Sequence, residues 1–283
     1  MSLEAFFFRL KMHFVTLSGD DHSNESLYSF YLKEFMGKNI HTGSTFLTYN
    51  CLMTLSELKD ALEKRGIILD ERMADQLDLY AAYLKEYNEK INLTAITEYE
   101  EVLDKHFYDS LLAAQRSLKG SLADVGSGAG FPGVVLKIVF PDLKVFLIEP
   151  IQKRCVFLKS LIEKLDLKGI EVICERGEDH SLSHREAYDY VTARAVSNLN
   201  SLIEVCGAMV KKEGYFICMR GKDGRAEIDA AEKAIGIMGF AVESITDEEL
   251  MNKDRRVIAY FRKVRTTPLK YPRKYNIIKK NPL

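Results

Sequence analysis

No stretch of the sequence reaches the roughly 18–20 consecutive apolar residues that cross a bilayer. The aromatic start Phe6-Phe7-Phe8 is broken by Arg9, Lys11 and His13, with no small-residue cleavage site behind it. The expectation is a cytoplasmic protein with neither signal peptide nor membrane partner. Five cysteines, Cys51, Cys155, Cys174, Cys206 and Cys218, are odd in number and contain no Cys-x-x-Cys pair. That speaks against a zinc site and a disulfide framework, and predicts reduced thiols with no metal. Internal repeats and low-complexity tracts are also missing, which argues against solenoid and disordered architectures.

The 283 residues are 47% hydrophobic and 29% charged, enough apolar material for one large domain or two modest ones. Nothing in the composition demands more than a monomer. A formal net charge of -1 hides an asymmetry. From Lys253 to Leu283 there are eleven Lys/Arg and one acid, a local net of +10, so the other 252 residues carry -11. A basic end on an acidic body predicts a polyanionic partner. Tyr271 and Tyr275 interleave with these cations, which suits phosphate contact and base stacking.

Residues 1–52 hold ten of the 29 aromatics and no chemical motif, so they stand apart from the rest. They are an extension of unassigned role, with a mis-assigned start as the alternative to a docking segment. Thr54-x-x-Glu57 then opens a capping box, and Asp70 caps a second helix with Met73, Leu77, Tyr80, Leu84 and Tyr87 at helical spacing. Thr97-x-x-Glu100 starts a third helix, predicted to reach about Leu118. Residues 53–118 are thus a small helical subdomain, followed by 119–283. There seven short apolar strands, beginning near Leu122, Val145, Ile170, Tyr190, Tyr215, Phe240 and Arg256, alternate at first with helices. This rhythm predicts an α/β fold with a mostly parallel sheet covered on both faces.

The sharpest motif is Asp124-Val125-Gly126-Ser127-Gly128-Ala129-Gly130-Phe131-Pro132-Gly133, between a strand and a helix. Glycines at alternate positions remove Cβ atoms, so a ligand can approach the backbone amides. Gly128, Gly130 and Gly133 formally match a dinucleotide fingerprint, with Glu149 at the ribose position. Asp124 would repel a pyrophosphate, however, and it suits a cationic ligand with an amino acid group, such as S-adenosylmethionine. The sulfonium cofactor is the favoured ligand and a nicotinamide dinucleotide the alternative. His106, Asp109 and Ser110 share one helix face and are too close in sequence for a nucleophilic relay. They predict a buried polar cluster tying the helices to the sheet, or a share in the site mouth. His180 and His184 read as a solvent-exposed loop without further metal ligands.

The ordered series resembles the bacterial small-subunit rRNA methyltransferase G family, within the class I (Rossmann-like) methyltransferases. It comprises Asn88, Asn92-Leu93-Thr94, His106, Asp109-Ser110, the glycine loop, Glu149, Lys153-Arg154, Arg176-Gly177-Glu178, Thr192-Ala193-Arg194-Ala195-Val196, Tyr271-Pro272-Arg273 and Asn281-Pro282-Leu283. The resemblance spans about Met53 to Leu283. It implies a seven-stranded class I fold and methyl transfer from S-adenosylmethionine to nitrogen-7 of a guanine in 16S rRNA, as naked RNA or in the small ribosomal subunit. It also implies cofactor contacts at Gly126, Phe131, Glu149, Gly177, Glu178 and Arg194. Asp124 and Gly128 join them on the chemistry above. Arg194 is the candidate catalytic residue, by positioning, and Arg220, Lys270, Arg273 and Lys274 are candidate RNA contacts. Tyr87-Asn88 stands where the family has Trp-Asn, Arg220-Gly221 where it has Lys-Gly, and residues 1–52 have no counterpart. A non-catalytic RNA-binding protein with a vestigial pocket is the third reading.

Overall fold

The helices begin where local chemistry predicts. In this computed structural model, which describes residues 53–194 and 198–283, Thr54 and Glu57 close a reciprocal capping box. The Glu57 N–H donates to Thr54 Oγ1 at 3.2 Å and the Thr54 N–H to Glu57 Oε2 at 2.8 Å. The cap contributes about 1 kcal/mol and starts α1 (Leu55–Glu63). Asp70 Oδ1 accepts from the Met73 N–H at 2.7 Å and starts α2 (Glu71–Asn88), whose Ala74, Leu77, Tyr80, Ala81 and Leu84 are buried. The readings of residues 1–52 and of Ala195-Val196 lie outside the described residues.

The third helix departs from expectation. It starts at Tyr99, with Glu98 in the capping position and no side-chain cap, and runs through α3 (Tyr99–Val102), a π-helical segment (Leu103–Tyr108) and α4 (Asp109–Leu111). Thr97 therefore does not cap it, and it stops well before Leu118. Leu112 and Ala113, just past its end, are apolar because they are core, not because the helix continues. Wide π turns recur at functional sites, and this one carries His106.

Seven strands follow: β1 (Ser121–Val125), β2 (Lys144–Ile148), β3 (Ile170–Ile173), β4 (Tyr188–Arg194), β5 (Val210–Arg220), β6 (Phe240–Glu249) and β7 (Arg255–Lys263). Their order is β3-β2-β1-β4-β5-β7-β6, with β1 to β5 parallel and β7 antiparallel to both its neighbours. The remaining helices are α5 (Gly133–Val139), α6 (Gln152–Lys164), α7 (Gly177–Ser183), α8 (Leu199–Gly207), α9 (Gly224–Ala230), α10 (Glu232–Ile237) and α11 (Tyr275–Lys280). The seven-stranded, mostly parallel sheet is as expected. α7 is an addition, lying where a polar loop was predicted.

Successive β1 residues face opposite sides, as the two-residue period of a strand requires. Leu122 joins an apolar cluster containing Leu58, Tyr80, Val134 and Leu158, while Ala123 joins a second containing Leu202, Ile203, Ile228 and Ile235. Helices α1 and α2 thus share one core with the sheet, and the described residues form one compact unit. The strand order reverses between β1 and β4. A ligand crevice opens at such a switch point, at the carboxyl ends of the strands.

Candidate active site

The loop leaving β1 needs its glycines for two different reasons. Gly126, Gly128 and Gly130 take φ of 74°, 58° and 101°, a region that costs other residues roughly 1–2 kcal/mol each. Gly130 also lacks room for a side chain. A Cβ there would lie 2.7 Å from both Tyr80 Oη and Val134 Cγ2. Tyr80 donates from that hydroxyl to the Ala129 carbonyl at 2.5 Å and stacks on Phe131 at 5.3 Å, so α2 buttresses the loop from behind. Sequence reasoning places Tyr80 only in the helical core. Its contact with the loop is a tertiary fact that helical spacing does not reveal.

Asp124 and Glu149 hold the loop by their carboxylates. Asp124 is fully buried; its Oδ2 accepts from the Gly133 N–H at 2.9 Å, and its Oδ1 is buried with no partner. Burial, the largest influence, pushes its carboxyl up to about 7, against the Gly133 N–H and the charge of Arg194. Glu149, just past β2, accepts from the Gly128 N–H through Oε2 and from the Ile151 N–H through Oε1, each at 2.9 Å. Beyond β3, Gly177 packs so closely that a Cβ would meet Val125 Cγ1 at 2.6 Å. Glu178 beside it is buried and pairs with Arg176. A loop whose glycines present no side chains, an unpartnered buried carboxylate oxygen and Glu149 together suit a ligand with a ribose and a cationic amino acid end. These residues fit S-adenosylmethionine.

The elevated Asp124 carboxyl has a consequence for stability. Its folded value lies above the unfolded 3.8, so its contribution is complete below that value and is lost as pH rises through about 7. The expected outcome is that Asp124→Asn raises the thermal midpoint of the cofactor-free protein at pH 8. The gain should shrink toward pH 4, while cofactor affinity falls. Calorimetric midpoints across that range decide it, and a gain independent of pH would contradict the assignment.

On the β4 side of the crevice, the polar cluster expected from His106 and Asp109 is assembled around Arg194. Arg194 Nη1 donates to Asp109 Oδ2 at 3.1 Å, and the guanidinium lies 5.0 Å from the centre of the Phe131 ring. Arg256 Nε, from β7, donates to Asp109 Oδ1 at 2.9 Å. The His106 ring stacks on Phe131 at 4.3 Å. Its Nε2 lies 2.9 Å from Thr94 Oγ1, which also accepts from the Ile96 N–H, and Arg194 Nη2 lies 3.3 Å from Nδ1. Nδ1 faces the Lys105 carbonyl at 3.1 Å. Burial, reinforced by the Arg194 charge, pulls the imidazole down to about 3, so it is neutral at physiological pH. Lys105, His106, Asp109, Arg194, Arg220 and Arg256 line a cavity of about 750 Å³. The sequence marks Arg256 only as one cation among many. Its pairing with Asp109, across 147 positions, appears only in the fold.

The tail is tied to the sheet domain by its own cations. Arg273, expected at RNA, donates from its backbone N–H and from Nε to Glu204 Oε1, both at 2.8 Å, and from Nη2 to Oε2 at 2.6 Å. Glu204 is fully buried on α8, so Arg273 docks the tail to the body of the fold. Tyr271 is buried as well, and the buried Lys263 donates to the Gly207 and Met238 carbonyls. Lys270, Lys274, Lys279 and Lys280 remain exposed. Arg220 pairs with Glu227 at the cavity wall. His180 is not in an exposed loop. It is fully buried on α7, bonded through Nε2 to Tyr188 Oη at 2.6 Å, and only His184 is exposed. With Glu175 the two histidines bring three possible ligand atoms within 4.8 Å of one another, the cluster the sequence reading excluded. Cys155 and Cys174 are paired as a disulfide, contrary to five reduced thiols. Among the described residues, no helix is long and apolar enough to cross a membrane.

A family model described as rRNA small subunit methyltransferase G matches residues 73–258. The chain belongs to that family. It is 43% identical to the ribosomal RNA small subunit methyltransferase G of Halalkalibacterium halodurans, covering 82% of this chain and 100% of that protein. The Alkaliphilus metalliredigens protein of the same name is 42% identical, over 80% of this chain and 97% of its own. Among solved structures, Aeropyrum pernix fibrillarin in complex with natively bound S-adenosyl-L-methionine aligns with a TM-score of 0.42 and 11% identity, over 54% of this chain and 72% of that chain. As a member of the methyltransferase G family the protein is an enzyme, and the oxidoreductase reading falls.

Proposed function

We infer that the protein transfers the methyl group of S-adenosylmethionine to nitrogen-7 of a guanine in 16S rRNA. One observation carries this reading: Arg194 stands between a glycine-loop cradle with an unpartnered Asp124 oxygen and a cation-lined cavity on the other side of β1. The cofactor supplies an electrophilic methyl group on a sulfonium. Asp124, Gly126, Gly128, Phe131, Glu149, Gly177 and Glu178 hold it on the β1–β3 side. The cavity receives the base, with Arg220 and Arg256 facing the flanking phosphates. Guanine nitrogen-7 has a free lone pair at neutral pH, so no proton must be removed first. The site is consistent with that, because burial and the Arg194 charge hold the His106 imidazole far below its ordinary range, which makes it a weak base near pH 7. What remains is orientation of the reacting atoms, which can supply up to about 7–11 kcal/mol.

Incubation with methyl-labelled S-adenosylmethionine and small subunits from cells lacking this enzyme tests the reading. Label is expected in 16S rRNA. Cofactor binding without label in RNA would instead favour a binding module. The exposed tail lysines add the sequence-independent part of RNA affinity. Replacing Lys270 and Lys274 by Glu is expected to flatten the dependence of log K on log salt by about one unit per lost phosphate contact. Arg273 is left unchanged in this variant because its guanidinium holds the tail to Glu204. An unchanged salt slope in the double variant, measured by filter binding, would remove the tail from the RNA interface.

A further inference from the structure

We propose that Cys174 and Cys155 form a peroxide-oxidisable dithiol whose disulfide clasps the two walls of the cofactor pocket, a step that rests on the cofactor reading above. The placement follows from strand register. β2 and β3 pair in parallel with Ile148 opposite Ile173, so the next residues, Glu149 and Cys174, leave the sheet side by side. Cys155, in the second turn of α6, turns back toward the same rim. Its sulfur lies 3.0 Å from the Glu149 carbonyl oxygen, and the two cysteine Cα atoms are 6.0 Å apart, within the range a disulfide spans without backbone movement. One end of the link is thus anchored beside Glu149, and the other lies three residues before Gly177.

The two sulfurs differ in the way the chemistry requires. Cys174 is exposed, while Cys155 is fully buried. In the reduced state each thiol has an acceptor at hand, the Glu149 carbonyl for Cys155 and Gln152 Oε1, 3.1 Å away, for Cys174. Cys206 and Cys218 are buried, and burial raises both thiols well above the ordinary range, so they stay protonated and unreactive. The oxidant is hydrogen peroxide. The Cys174 thiolate attacks one peroxide oxygen, the O–O bond breaks, and the other oxygen leaves as water after taking up a proton. The Cys174 sulfenic acid is then attacked by the Cys155 sulfur. The S–S bond forms as the S–O bond breaks, and a second water departs. Two thiols are oxidised by two electrons in all, and one peroxide is reduced. A small-molecule dithiol reverses the step by exchange.

The link fixes the spacing between the Glu149 turn and the Gly177-Glu178 loop, so the oxidised form binds cofactor more tightly because its two walls are preorganised. The test compares full-length protein reduced with dithiothreitol and then treated, or not, with hydrogen peroxide. Non-reducing peptide mapping is expected to show a Cys155–Cys174 cross-link. Titration calorimetry is expected to show affinity for S-adenosylmethionine about fivefold or more tighter in the oxidised form. Cys174→Ser, at an exposed position, should retain the reduced-form affinity whether or not peroxide is added. Equal affinities in the two forms, or Cys174 oxidised without a link to Cys155, would overturn the proposal. If neither form binds cofactor but the cross-link maps as expected, the cofactor reading fails and the dithiol stands as a modification site alone.

Discussion

Arg194→Ala is expected to lower the methyl-transfer rate by about 10²–10³-fold, which corresponds to roughly 2.7–4 kcal/mol of transition-state stabilisation. The guanidinium ends β4 at the switch point, stacked over Phe131 and bonded to Asp109, and it lines the acceptor cavity. Its removal leaves Asp109 paired with Arg256, so the fold should persist. Arg194→Lys keeps a charge but loses the planar stack and the fork of donors, and should recover only part of the rate. Single-turnover transfer at saturating cofactor, with the thermal midpoint as a control for folding, separates the two effects. An alanine variant with a wild-type rate would remove Arg194 from the mechanism.

Gly130→Val is the second large effect, and it acts on the cofactor side. A Cβ at this position meets Tyr80 Oη and Val134 Cγ2 at 2.7 Å, and φ is 101°. Overpacking costs about 1–3 kcal/mol, and a β-branched residue at positive φ adds strain of about 1–3 kcal/mol. The loop must move away from α2, carrying Ala129 and Phe131 with it. The expected result is a lower thermal midpoint together with loss of measurable S-adenosylmethionine binding by calorimetry. Gly221→Ala serves as the contrast, since nothing lies within 4 Å of a Cβ there. It should leave both properties near wild type. Cofactor affinity unchanged by Gly130→Val would mean that the loop is not the cradle.

Features whose physics is local were legible in the sequence. The Thr54 and Asp70 caps, the alternation of strands and helices and the glycine loop each depend on residues a few positions apart. What stayed hidden depends on tertiary partners. His106 and Asp109 were visible as a polar pair, but the arginines that complete them come from β4 and β7, more than 80 positions away. Arg273 read as a free cation because a charge count cannot see a carboxylate buried on α8. His180 read as exposed because its neighbours are polar, yet the bond to Tyr188 draws it inside. The cysteine pair was missed by seeking Cys-x-x-Cys spacing within the chain. The usable signal was positional, since the two residues follow adjacent parallel strands.

On the proposed function, the acceptor atom is guanine nitrogen-7 and the chain's own residues only position it. Small subunits lacking the modification, methylated by the enzyme and then treated with reducing agent and aniline, test this directly. That chemistry breaks RNA only where guanine carries a methyl group on nitrogen-7. A single new cut in 16S rRNA, forming far more slowly with Arg194→Ala, is the result expected. Label in 16S rRNA without a cut would contradict the claim, because the methyl group would then sit on an atom other than guanine nitrogen-7.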